Sequence, residues 1–353
     1  MQKTTVYVKE KAMLSFESDY ILGAHEKVLE ALINTNGEVL SGYGNDIHTE
    51  NAKRLIKKAC DAPNSDVFFL MGGTQANKTV IATMLKPYQA VIAATTGHVS
   101  LHEAGAIEYT GHKVIELPGH GGKLDRGEVE AYLKSFSEDE NNVMMTSPGM
   151  IYVSYPTEYG TLYTKDELTS LRELADKYGL VLYLDGARLG YGLMSDEADM
   201  TIADVARICH AFYIGGTKIG ALCGEAVVFA EGYTPEKFHT QTKMHGAMTA
   251  KGRLLGVQFE ALFTDDLYLK ISRNAIERAR ELKELFTSRG YEFLLNSPTN
   301  QQFVILSDKD AERIGKLCRF SFWERVDQDH IAVRFATSFA TKRSDIEALS
   351  EVL

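Results

Sequence analysis

Leu180-Val181-Leu182-Tyr183-Leu184-Asp185-Gly186-Ala187-Arg188 and, further on, Phe212-Tyr213-Ile214-Gly215-Gly216-Thr217-Lys218-Ile219-Gly220 decide the fold. Each opens as a short apolar run without the polar alternation of a half-exposed strand, and each stops at a glycine-containing turn. Such runs read as strands buried on both faces. Each delivers one ionisable side chain to its carboxyl end, Asp185 from the first and Lys218 from the second. In open α/β sheets that edge is where ligands bind.

Working outward, strand-like and helix-like segments alternate. Asp66–Met71, Ala90–Ala94, Val114–Leu117 and Glu225–Ala230 read as strands, the last pairing with the Lys218 strand, and Val143–Thr146 with Ile151–Ser154 as short strands or one broken strand. Ala24–Asn34, Asn51–Cys60, Gln75–Leu85, Asp125–Phe136 and Thr164–Tyr178 read as helices. The last carries a capping box, Thr164 with Glu167, and stops at Gly179. Alternation of this kind indicates βαβ units and a mostly parallel sheet covered on both faces. Two long helices, from Thr249 to Phe263 and from Tyr268 to Arg289, lead into a different grammar. Short strands at Tyr291–Leu295, Gln302–Leu306, Phe320–Glu324 and His330–Phe335 are closed by a helix from Lys342 to Val352. The expected organisation is an N-terminal segment (1–17), a large α/β domain (18–255) and a smaller C-terminal α+β domain (256–353).

Composition narrows the function. The chain has 353 residues, 44% hydrophobic and 24% charged, with a formal net charge of −10. That balance suits a soluble globular protein and argues against a general nucleic-acid or membrane-surface binder. Four cysteines, Cys60, Cys209, Cys223 and Cys318, are scattered without a CxxC pair, so neither a disulfide framework nor a zinc site is expected. No apolar stretch is long enough to span a bilayer, and Met1–Lys11 has no signal-peptide core, which points to the cytoplasm.

The chemistry sits at the strand ends. An amine that can form an imine and a carboxylate that can hold a pyridinium nitrogen are what pyridoxal phosphate chemistry requires. Asp185 alone reads equally well as a cap or turn residue; beside Lys218 the functional reading gains. Gly72-Gly73-Thr74-Gln75-Ala76-Asn77 follows a strand and opens a helix, so its N–H groups and the Thr74 hydroxyl can cradle a phosphate. It is neither GxGxxG nor a Walker A loop. His98, after the strand Val91–Ala94, can stack on a ring and move protons, and His102 lies one helical turn later. Arg334, inside an alternating strand, needs an anionic partner: a substrate carboxylate or a structural acid.

These segments resemble the threonine aldolase family, the beta-eliminating lyase branch of fold type I PLP enzymes. The likeness runs from Phe16-Glu17-Ser18-Asp19 and Gly42-Tyr43-Gly44-Asn45-Asp46 through the glycine turn, Gly97-His98, Glu103-Ala104-Gly105-Ala106 and Pro156-Thr157-Glu158-Tyr159-Gly160-Thr161. It continues with Asp185-Gly186-Ala187-Arg188-Leu189, Gly215-Gly216-Thr217-Lys218, Lys243-Met244-His245-Gly246 and Arg334-Phe335-Ala336-Thr337-Ser338. It implies an aspartate aminotransferase-like large domain and a pyridoxal phosphate cofactor. Lys218 becomes the Schiff-base lysine, Asp185 the acid on the pyridine nitrogen, Ala187 the residue under the ring, His98 the stacking histidine, and Gly73 with Thr74 the phosphate turn. Ser18, Arg188 and Arg334 match positions around the substrate carboxylate or the cofactor. Tyr43 and Lys243 match residues that approach the site from a neighbouring subunit, so a homodimer or homotetramer with shared sites is implied. The implied reaction cleaves L-threonine or L-allo-threonine to glycine and acetaldehyde, with His98, His102, Glu103 or a water as the base. β-Elimination or racemisation of another amino acid is the rival on the same cofactor, and a non-catalytic binding protein on the same fold the rival from another class. The chain departs from the family in lacking a histidine in Pro156-Thr157-Glu158-Tyr159-Gly160 that some members assign to the substrate hydroxyl, in the compressed Tyr20–His25 stretch, and in Ile219 after the lysine.

Overall fold

The computed structural model describes residues 13–353. The expected segment 1–17 therefore lies mostly outside the described residues. Seven strands form the central sheet: β1 (Asp66–Leu70), β2 (Gln89–Ala94), β3 (Val114–Leu117), β4 (Ser147–Ser154), β5 (Val181–Asp185), β6 (Ala211–Gly215) and β7 (Glu225–Phe229). Their spatial order is β1-β7-β6-β5-β4-β2-β3. All run parallel except β7, which is antiparallel to both β1 and β6. The sheet is the mostly parallel α/β sheet that the two apolar runs predict.

Alternate residues of each strand feed opposite cores. Leu182, Leu184, Phe212 and Ile214 join the cluster on one face, whereas Tyr183 and Tyr213 join the cluster on the other. Both faces are buried, so the apolar runs are continuous. The helix Lys165–Tyr178 has the predicted capping box, and Gly179 ends it at φ 69°. Two expected strands are not formed. Val143 and Met144 lie in a 3₁₀ turn at Asn142–Met144 and are 84% and 86% exposed, so the strand starts only at Ser147. Of Tyr291–Leu295, only Phe293 bridges to Val304.

A third core lies around a three-stranded antiparallel sheet in which His330–Ala336 is flanked by Gln301–Ser307 and Ser321–Arg325. Its buried cluster includes Leu282, Phe286, Val304, Phe335 and Leu349, and also Phe16. Leu14–Ser15 pairs in parallel with Cys318–Arg319, so the N-terminal residues before Ser18 pack with the C-terminal unit. The helix Arg253–Phe263 straddles the expected boundary at 255/256, and its Phe259 and Leu262 pack into the large core. That core continues along the helix Leu267–Ser288 as far as Ile276, where the small core takes over at Leu282. One long helix thus fixes the small unit to the carboxyl edge of the sheet. No helix among the described residues is long and apolar enough to cross a membrane.

Candidate active site

β5 ends at Asp185 and β6 ends at Gly215, and the turns beyond them interlock. A Cβ on Gly186 would fall 2.0 Å from the carbonyl oxygen of Tyr213, and one on Gly215 2.2 Å from that of Ala187. Only glycine fits either position, and the Gly215 N–H donates to the Gly186 carbonyl at 2.9 Å. This contact brings the Asp185-Gly186-Ala187-Arg188 and Gly216-Thr217-Lys218 turns side by side. The Lys218 turn is held from behind: Tyr191 donates its hydroxyl to the Lys218 carbonyl at 2.6 Å, and the Gly216 N–H donates to Glu225 Oε2 at 3.0 Å.

Asp185 is buried and fully engaged. Its Oδ2 accepts from Asn77 Nδ2 at 2.8 Å and from the Tyr152 hydroxyl at 2.7 Å, and its Oδ1 from the Ala187 N–H at 3.0 Å. Burial pushes its pKa up, but His98, with Tyr213, Tyr152 and Asn77, outweighs burial and holds the carboxyl below its usual range. Asn77 stands one turn into the helix Gly73–Met84 and bridges two acids, donating also to Glu103 Oε1 at 2.9 Å. Tyr183 donates to Asn77 Oδ1 at 3.0 Å and fixes the amide's orientation. Glu103 Oε1 also bonds His98 Nδ1 at 2.7 Å. Burial lowers the His98 pKa, yet Glu103 and Asp185 raise it further, so the net shift is upward. His102 has its ring 5.6 Å from that of His98, and burial with the cations His98 and Arg334 shifts it downward.

The helix Gly73–Met84 begins at the glycine turn, two residues earlier than its apolar pattern suggests, and Gly72 gives it no side-chain cap. A Cβ on Gly73 would sit 3.0 Å from the Tyr213 hydroxyl. Thr74 is exposed at this uncapped helix start, where first-turn N–H groups favour an anion.

The opposite side of Lys218 is made by the small unit and the N-terminal segment. Asp19 is buried and binds Arg188 through two bonds, Nε to Oδ2 at 2.7 Å and an NH2 contact to Oδ1 at 3.0 Å. Asn300 adds a third at 2.9 Å. The Arg188 fork is thus taken up by Asp19. Arg334 has no acidic partner among the described residues. It donates to Gln301 Oε1 at 3.1 Å and to the Glu17 carbonyl at 3.3 Å, and its Nε is buried and unpaired. The buried Ser18 hydroxyl is unpaired as well. Burial and Arg188 push the Lys218 amine down from its ordinary range.

The structure therefore gathers Lys218, Asp185, Ala187, His98, His102, Arg188, Arg334 and Ser18 at one edge, with Gly73 and Thr74 at the helix start beside it. Tyr43 and Lys243 stand elsewhere on this chain. Lys243 Nζ lies 4.8 Å above the Tyr43 ring, and Tyr43 lines a cleft with Phe68, Thr242 and Ala247. The sequence reading passed over Asn77, Tyr152, Tyr183, Glu158 and Glu225 as site residues, and marked Asp19 only as a neighbour of Ser18 that could act near the site. Asn77 and Glu158 stand inside motifs already singled out; the two tyrosines are core residues by pattern, and only their strand-end position could have marked them.

The site suits pyridoxal phosphate on its own evidence. One ionised, hydrogen-bonded acid with no lysine or arginine paired to it fits a pyridinium, an uncapped helix start fits a phosphate, and a depressed lysine fits imine formation.

The Beta-eliminating lyase family profile matches residues 16–309. A low specificity L-threonine aldolase of Pseudomonas aeruginosa is 28% identical over 344 residues, covering 96% of this chain and 95% of that protein. A Leishmania major threonine aldolase structure superposes with a TM-score of 0.92 at 38% identity, covering 96% of this chain and 98% of that one. A Thermus thermophilus aspartate aminotransferase shares the fold at a TM-score of 0.68 and 17% identity, covering 97% of this chain and 92% of that one.

Proposed function

The chain belongs to the beta-eliminating lyase family, with the threonine aldolases, and is a pyridoxal-phosphate-dependent lyase; from that premise we propose that it cleaves L-threonine or L-allo-threonine to glycine and acetaldehyde. One observation carries the substrate class: the side of the site facing Lys218 has two arginines and a single acid, and Arg334 with Ser18 keeps unpaired donors. An α-carboxylate supplies the missing anion. Arg334 grips it, and Ser18 donates to it. Arg188, bound by Asp19, holds that wall in place.

Pyridoxal phosphate, when bound, supplies an electron-withdrawing ring that accepts the electron pair released at Cα. Asp185 would hold the ring nitrogen protonated, Lys218 would hold the aldehyde carbon, Gly73 and Thr74 the phosphate, with His98 and Ala187 on the two ring faces. The carboxylate grip would fix the substrate's orientation at Cα relative to Lys218.

A second copy of the chain completes this reading. Val39, Tyr43 and Met244 are 99%, 45% and 74% exposed. Lys243 Nζ lies over the Tyr43 ring, and Gly246, three residues after Lys243, has its carbonyl 3.5 Å from Gln75 Nε2. We propose a homodimer or homotetramer in which these residues serve a neighbour's site. Sedimentation of the loaded enzyme checks it, and a fully active monomer would refute it. The reaction itself is tested by supplying threonine, allo-threonine, serine and phenylserine. Aldehyde with glycine and no ammonia is expected; a keto acid with ammonia would replace the aldolase by an eliminating lyase.

A further inference from the structure

Glu158 is a group that the roles above leave unused. It lies four residues beyond the end of β4, and the last residue of β4, Ser154, is in register with Asp185. Its Oε1 accepts two hydrogen bonds, from the Ser154 hydroxyl at 2.7 Å and from the His98 backbone N–H at 2.9 Å. Its Oε2 is buried without a partner. With Oε1 already accepting twice, a proton on this carboxyl belongs on Oε2. Glu158 thus has one oxygen committed to the scaffold and one uncommitted, beside the histidine whose ring is tied to the Asp185 network.

We propose that Glu158 is the acid–base residue for the substrate's β-hydroxyl, its Oε2 taking the hydroxyl proton as the Cα–Cβ bond breaks and returning it to the aldehyde oxygen in the reverse direction. The proposal rests on the aldolase reading. It follows by assigning the polar groups of a β-hydroxy-α-amino acid in turn. Arg334 and Ser18 take the carboxylate, Lys218 exchanges with the amine, and the hydroxyl is the group left without a partner. The step balances: the O–H bond breaks and Oε2–H forms, the freed pair becomes the aldehyde π bond, and the Cα–Cβ pair leaves toward the cofactor ring.

The other acid–base groups are already committed or differently placed. Glu103 also leaves its Oε2 unpaired, but its Oε1 is shared by Asn77 and His98 and its side chain is fully closed to solvent, whereas Glu158 is half-buried. His98 Nδ1 is occupied by Glu103. His102, more exposed and shifted toward the neutral form, is the competitor. The charged groups that act on Glu158 are Asp185, His98 and Arg188. Burial raises its pKa, Ser154 and His98 oppose, Asp185 adds, and the net shift is upward. A raised carboxyl is, once ionised, a stronger base than one in water.

Glu158→Gln keeps the shape and the Oε1 acceptor but cannot take a proton. In the cofactor-loaded enzyme, aldehyde release from threonine should fall by about 100-fold or more, the range of a lost general base. The cofactor dissociation constant, glycine binding followed by absorbance, the thermal midpoint and α-proton exchange of glycine in D₂O should stay as in the wild type, because none involves a β-hydroxyl. The acidic limb of kcat/KM should vanish as well. Glu158→Asp, with a carboxylate set back by one methylene, should regain part of the rate and the limb, which keeps the test open if the glutamine variant melts early. Wild-type cleavage by Glu158→Gln, an equal loss of glycine exchange, or loss of cleavage in His102→Phe with retention in Glu158→Gln would each overturn the assignment. A wild-type enzyme that exchanges glycine yet releases aldehyde from no β-hydroxy amino acid would instead overturn the aldolase reading.

Discussion

Two walls meet at Lys218, and they follow different rules. The sheet-edge wall, with Asp185, Asn77, Tyr152, Tyr183 and Glu103, is bonded within itself, each side chain to another. Its unpaired atoms, Glu103 Oε2 and Glu158 Oε2, are carboxyl oxygens. The small-domain wall, with Ser18, Asp19, Arg188, Asn300 and Arg334, sets two cations against one acid and keeps unpaired donors on Ser18 and Arg334. The first wall presents a fixed negative charge whatever else is bound. The second is balanced only when an anion arrives. A reaction that needs a protonated ring on one side and a gripped carboxylate on the other matches that division.

Removing the junction is the strongest way to break the comparison. Lys218→Ala should abolish turnover while leaving both walls and the circular dichroism spectrum intact; residual cleavage would mean that the lysine is not the imine-forming group. Asp185→Asn tests the first wall. It preserves the outline and removes the charge, and a lost charge-assisted hydrogen bond is worth about 1.5–3 kcal/mol. The cofactor dissociation constant should rise roughly 10- to 100-fold at 1.4 kcal/mol per decade, with the amino-acid KM affected far less at saturating cofactor. Arg334→Lys tests the second wall. A lysine cannot reproduce the fork, and a disturbed buried pair costs about 2 kcal/mol or more. The expected signature is a higher KM for threonine and weaker glycine binding with an unchanged cofactor dissociation constant. If either substitution moved both constants equally, the two walls would be one unit.

The sheet-edge wall was largely legible in the sequence, because its charged members end apolar runs, and a strand's end is visible as the place where the run stops. Asp185, Lys218 and the glycine turn were found that way. Tyr152 and Tyr183 were not, since a tyrosine inside a buried strand looks the same whether its hydroxyl meets an acid or not. The small-domain wall was harder. Arg334 stood out as a charge inside a strand, but its freedom from Asp19 could not be read, because Asp19 and Asn300 are 281 residues apart and meet through long-range contacts such as the parallel pairing of Leu14–Ser15 with Cys318–Arg319 and the bond from the Ala336 N–H to the Phe16 carbonyl. Sequence order carries no information on which of two arginines an acid will choose. The same limit explains Glu158: its motif was quoted, and its carboxyl was not separated from the loop that holds it.

The smallest effect, and the sharpest on the comparison, is in pH. Burial alone would raise the Asp19 pKa, but Arg188 and Lys218, with bonds from Arg188 and Asn300, bring it from 3.8 to about 2. A folded value below the unfolded one contributes stability above pH 3.8 that is lost as pH falls through about 2. His98 runs the other way. Burial lowers it, the Glu103 bond and Asp185 more than compensate, and its folded value lies above 6.5. Its contribution is complete below pH 6.5 and is lost as pH rises through the folded value. The small-domain wall thus weakens in acid, as Asp185 also does, whereas His98 weakens the sheet-edge wall as pH rises through its folded value. Glu103→Gln should lower the His98 midpoint followed by ring-proton NMR and flatten the alkaline slope of thermal stability, leaving the acid limb where it was. Asp19→Asn should shrink the acid limb to the part that Asp185 and the other depressed carboxyls contribute, and leave the His98 midpoint nearly in place, since Asp19 is not among the groups that chiefly set it. A wild-type His98 that titrates at or below 6.5, or one substitution that moves both limbs, would show that charge is shared across Lys218, and the division between a fixed wall and a ligand-completed wall would fall.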